Sequence, residues 1–109
     1  MIGGVSWEST VLYYKLINQS VREYLGDLNS AKILLYSFNY EPIVELEREG
    51  KWNEVGDLIA SSAKSLQDGG AKFIILCCNT LHKVTPSIEQ SITIPFLHIA
   101  DAAGKVSVA

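Results

Sequence analysis

Cys77, Cys78, Asn79, Thr80 and His82 fall within six residues, at the end of the apolar run "KFIILCC". A thiol is a base or nucleophile only as the thiolate. Its pKa of roughly 8.5 falls when backbone N–H groups or a helix N-terminus lie beside it. The same N–H groups, with Asn79 and Thr80 as added donors, suit a carboxylate. His82, four residues beyond Cys78, opens a second chemistry, a Cys-His nucleophile pair of the thiol hydrolase or transferase kind. That pair also needs an oxyanion hole and an orienting carboxylate, for which only acids such as Glu8 and Asp101 are at hand. The plain alternative is two small hydrophobes padding the end of a strand. Successive strand residues point to opposite faces, so a regular strand sends one of Cys77 and Cys78 to the core and the other toward a site.

The elements that must position these groups follow from periodicity. Tyr14, Ile17, Val21 and Leu25 recur at helical spacing, with Gly26 as a stop. "AKILLYS", residues 31–37, reads as a strand. Pro42 opens a helix closed by Gly50, and a further helix capped by Asn53 carries Val55, Ile59, Ala63 and Leu66 on one face before Gly69 and Gly70. After the cysteine strand, Thr85 caps a short helix with Pro86 in its first turn, and "IPFLHI" is a last strand. With a strand at Met1–Ile2, the order is β-α-β-α-α-β-α-β. Strands apolar throughout, alternating with helices, predict an α/β fold with a parallel sheet and helices on both faces. The first strand reads as cut short, with Met1 and Ile2 alone before Gly3-Gly4.

Composition narrows the classes of function. The 109 residues suit one domain, and 48% hydrophobic with 19% charged residues is ordinary globular composition. Nine basic against twelve acidic residues, without a basic cluster, exclude a nucleic-acid footprint. No apolar stretch approaches a bilayer span and no signal-like N-terminus is present, so no membrane association and a cytoplasmic location are expected. Two adjacent cysteines make neither a disulfide framework nor a zinc site, so no metal is expected.

Other polar residues gather where strands end. Ser6, Ser9 and Thr10 sit at the start of the first helix, where hydroxyls ordinarily cap backbone N–H groups. Gly3-Gly4 is a strand-to-helix turn rather than a dinucleotide fingerprint. Ser37 and Asn39 follow the second strand, at the edge where open α/β sheets bind ligands. His98, in an apolar strand, reads as a core histidine, and packing accounts for Trp7 and Trp52.

"GGVSWEST", "LCCNTLHK" and "IPFLHIADA", in this order and at these separations, resemble the aspartate/glutamate racemase family, closest to its broad-specificity amino-acid racemase branch. The resemblance covers most of the chain. Val5 and Leu81 stand where that branch usually has Met. The resemblance implies a cofactor-independent racemase of two similar α/β lobes, with a small acidic amino acid held between them. Each lobe offers one acid/base group to a face of Cα. In this lobe the group is the residue immediately before Asn-Thr, which is Cys78, with Asn79, Thr80, Ser6, Thr10 and Ser37 bordering the substrate. The second cysteine belongs to a Gly-Cys-Thr-Glu-like motif that this sequence lacks. Residues 1–109 therefore read as an N-terminal lobe without its second lobe, either part of a longer enzyme or completed by a partner or homo-oligomer. The competing reading is a non-catalytic remnant that binds carboxylates or serves as an interaction domain.

Overall fold

A computed structural model of the chain describes residues 1–77, 81 and 84–97. Eight elements follow in the expected order: β1 (Ile2–Gly3), α1 (Trp7–Leu25), β2 (Tyr36–Ser37), α2 (Tyr40–Arg48), α3 (Trp52–Asp68), β3 (Ile74–Ile75), α4 (Thr85–Ser91) and β4 (Phe96–Leu97). All pairings are parallel. Ile2 faces Tyr36 and Gly3 faces Ser37, while Ile74 faces Phe96 and Ile75 faces Leu97. A bridge between Ile2 and Leu76, with the Cys77 amide donating to the Ile2 carbonyl at 2.8 Å, joins the two ladders in the order β2-β1-β3-β4.

The strands are shorter than the apolar runs suggest. Of residues 31–37 only Tyr36 and Ser37 pair, in register with the two residues of β1, and the Met1 amine donates to the Leu34 carbonyl just before them. An apolar run reports burial, and pairing needs a neighbour as well.

Right-handed crossovers in this order place α1 on one face of the sheet and α2, α3 and α4 on the other. Packing agrees. The core joins Ile2, Ile74 and Leu76 of the sheet to Ile43 of α2, Val55, Ile59, Ala63 and Leu66 of α3, and Ile88 of α4; α1 contributes none of it. The four residues expected to line one face of α3 are all buried. Gly56 brings α4 close, since a Cβ there would lie 3.0 Å from the Ser87 hydroxyl. The buried hydroxyl of Ser62 donates to the Ile59 carbonyl at 2.6 Å and so carries no unpaired polar cost.

The face expected for α1 is not the one buried. Thr10 is its single buried residue, Tyr14 and Leu25 are exposed, and Ile17 and Val21 are half-buried. Val11, Leu12, Tyr13, Tyr14, Leu16 and Ile17 make the helix apolar nearly all round, so spacing alone does not choose a face. Three boundaries also move. Lys51 precedes α3 in place of Asn53, which lies inside the helix. Thr85 is the first residue of α4 and Val84 its cap. Pro42 is the third residue of α2, still within the first turn, where its missing N–H breaks no helical bond. Gly26, as expected, ends α1, at φ 76°.

Candidate active site at the carboxyl edge of the sheet

The chain leaves β1 toward β2 on one side and later returns to place β3 on the other. The carboxyl ends of β1 and β3 thus flank a switch point, where open α/β sheets form a crevice. Three segments meet this edge: the loop from Gly4 to Ser6, the turn from Ser37 to Asn39, and the segment that follows β3 through Leu76 to Cys77.

The first loop is held from several sides. Gly4 has φ 85°, and a Cβ there would collide with the backbone N and O of Phe38. A Cβ on Gly3 would strike the Thr10 side chain. The Gly4 amide donates to the buried Thr10 hydroxyl oxygen at 2.8 Å, the Phe38 amide donates to the Gly3 carbonyl at 2.9 Å, and Val5 is sunk in the core. Thr10 is therefore committed to the loop backbone. Ser6, half-buried, occupies the N-cap of α1 but makes no side-chain cap bond. The first amides of a 19-residue helix emerge beside it. Ser37 is exposed, with its hydroxyl oxygen 2.7 Å from where a Gly4 Cβ would sit. Asn39 caps α2 by position, also without a side-chain cap bond.

Cys77 is fully buried. Leu76 faces the core with Ile2, so the pleat turns Cys77 to the α1 side. The expectation that Cys77 belongs to the core agrees with this burial. Cys78, Asn79, Thr80, His82, His98 and Asp101 lie outside the described residues. The chain is fixed immediately before Cys78 by the Cys77–Ile2 bond and after Thr80 by Leu81, which is fully buried in the core. Among the described residues no three His, Cys, Asp or Glu side chains form a metal-ligand set, and no helix is long and apolar enough to cross a membrane.

A groove of about 480 Å³ lies at the other end of α1, lined by Tyr14, Lys15, Asn18, Gln19, Arg22 and residues 28–30. It arises because the loop after α1 folds back: the Ala31 amide donates to Asn18 Oδ1 at 2.8 Å, and Asn29 Nδ2 donates to the Gly26 carbonyl at 2.8 Å. Sequence reasoning missed it, since the contact spans 13 residues and follows no period. It brings no acid/base pair together. Nearby, the Met1 amine donates to the Leu34 carbonyl at 2.7 Å, and burial lowers its pKa from 8.0 against a smaller raising influence of Cys77.

A family model described as Asp/Glu/Hydantoin racemase matches residues 2–109. The crystal structure of a candidate Asp/Glu racemase from Yersinia pestis superposes with a TM-score of 0.90 at 47% identity, over 98% of this chain and 47% of that one. The structure of an aspartate racemase homologue from Pyrococcus horikoshii OT3 superposes with a TM-score of 0.85 at 27% identity, over 98% of this chain and 46% of that one. The chain thus spans about half the length of either protein.

Proposed function

Because the chain belongs to the Asp/Glu/hydantoin racemase family, we propose that it is one lobe of a cofactor-independent amino-acid racemase acting on aspartate or glutamate in the cytoplasm. The observation that carries this reading is the switch-point edge. A pinned glycine loop, the N-terminus of α1 and the exposed Ser37 lie at the sheet edge where the chain leaves β3 through the buried Cys77, the residue before Cys78. In this proposal Cys78 is the base that removes the Cα proton as thiolate and returns it as thiol. Asn79, Thr80 and Ser6 donate to the substrate carboxylates, as does the Ser37 hydroxyl. Thr10 acts one step back, fixing the loop through the Gly4 amide. The carbanion is stabilised by donors alone, which calls for a cleft closed to water. That closure, and the second thiol, come from a second lobe.

Selective alkylation tests the assignment of the thiols. Under native conditions a limiting thiol reagent is expected to modify Cys78 and spare the buried Cys77. Preferential modification of Cys77 in the folded chain would remove Cys78 from the site. The alternative reading, a remnant that only binds carboxylates, predicts the same labelling but no exchange at Cα.

A further inference from the structure

The groove at the far end of α1 stands apart from the candidate active site, since Arg22 lies about 24 Å along the helix from Ser6. Two of its lining amides are already committed to building its wall. Asn18 Oδ1 accepts the Ala31 amide and Asn18 Nδ2 donates to the Tyr14 carbonyl at 3.0 Å, while Asn29 Nδ2 donates to the Gly26 and Leu25 carbonyls at 2.8 and 3.3 Å. The polar groups left to meet a ligand are Lys15, Gln19, Arg22 and the Ser30 hydroxyl, with Tyr14 and Leu28 as apolar sides.

The charge of this groove is uncompensated. Among the described residues no acid lines it, and the positions three and four residues from Lys15 and from Arg22 carry none either. Among the described residues neither cation is in an ion pair, whereas Lys51 and Lys64 reach Glu49 and Asp68 at 3.0 and 3.5 Å. Arg22, in the last turn, also complements the helix C-terminus; Lys15, in the middle of α1, does not. Two cations thus share one wall in a chain of net charge −3. A phosphate monoester carries about −1.5 to −2 charges and three acceptor oxygens, which matches both cations together with the amide and hydroxyl donors, while a single carboxylate is met by the Arg22 fork alone. Leu28 and Tyr14, 90% and 52% exposed, offer apolar surface to the rest of such a ligand.

We infer that this groove is a second ligand site, which takes a phosphorylated small metabolite: Lys15 and Arg22 hold the phosphate with Gln19 and Ser30, and the organic body lies against Tyr14 and Leu28. Its volume of about 480 Å³ is that of a small-molecule site. A ligand there ties residues 28–30 to α1, and so steadies the loop that leads into β2 and Ser37. The inference rests neither on the thiol chemistry nor on the two-lobe reading.

Calorimetric titration of the 109-residue chain with ribose 5-phosphate at low salt tests this. One-to-one binding is expected, weakened about tenfold or more by Lys15→Gln or Arg22→Gln, as for lost charge-assisted hydrogen bonds. Arg22→Lys, which keeps the charge and loses the fork, is expected to fall between. Lys64→Gln makes the same change in net charge on α3 and is expected to leave binding intact. Ribose, succinate and inorganic phosphate are each expected to bind at least tenfold more weakly. Hydrogen exchange of the Ala31 amide is expected to slow when ribose 5-phosphate is added, which places the ligand at the groove even if a variant fails to fold. The absence of binding, an equal loss in Lys64→Gln, or succinate or inorganic phosphate binding as tightly as the ester would each overturn the assignment. So would displacement of ribose 5-phosphate by L-aspartate, which would put it in the crevice.

Discussion

The Gly4 amide and the Thr10 hydroxyl meet at 2.8 Å beneath the loop that opens the candidate site, and both are buried. Thr10→Val keeps the volume and removes the acceptor, leaving a buried N–H unpaired. The expected loss is about 1–3 kcal/mol, read from urea unfolding. Thr10→Ser, which keeps the oxygen, should lose less. A loss confined to Thr10→Ser, with Thr10→Val as stable as the parent chain, would show that the methyl group, and not the hydrogen bond, matters.

Gly4 and Gly26 both hold positive φ, at 85° and 76°. Alanine at Gly26 meets open space and should cost only backbone strain, about 1–3 kcal/mol. Alanine at Gly4 meets that strain and the Phe38 backbone together, so it should cost clearly more or prevent folding. Thermal unfolding of the two variants side by side checks the order.

The one-sided core gives a further contrast. Ile59→Ala, at a fully buried position of α3, should cost about 2–5 kcal/mol, and Tyr14→Ala, on exposed α1, about 1 kcal/mol or less. Similar losses would mean that α1 is packed more tightly than its exposure indicates.

Gln67 is a fourth point of leverage. Its Oε1 accepts the Thr93 amide at 2.7 Å and the Ile94 amide at 3.3 Å, tying α3 to the segment that enters β4. Gln67→Leu should free that segment. Hydrogen exchange of the Ile74 amide, bonded to the Pro95 carbonyl, should quicken while the α3 amides keep their protection.

These contrasts mark what the sequence made legible. α3 could be read down to its buried face because Val55, Ile59, Ala63 and Leu66 are the apolar stripe of an otherwise polar helix. α1 could not, since its apolar residues surround it and the face chosen depends on what lies beneath. The order of elements and the parallel sheet followed from alternation, but the length of each ladder depended on neighbours that no local run reveals. At the site, the buried segment from β3 to Cys77 was readable from its apolar run. The role of Thr10 was not, because a hydroxyl six residues along from its partner looks like an ordinary helix cap. The Gln67 tie crosses 26 residues and leaves no local signal.

The central claim, that Cys78 moves the Cα proton of an acidic amino acid, is tested most directly by deuterium exchange in heavy water, with L-aspartate and L-glutamate followed by NMR. A base on one face can remove and return the proton only from that side. The 109-residue chain is therefore expected to exchange Cα slowly with retention and without racemisation, and Cys78→Ala should abolish the exchange while amino-acid binding remains. Exchange or racemisation that persists in Cys78→Ala would contradict the account.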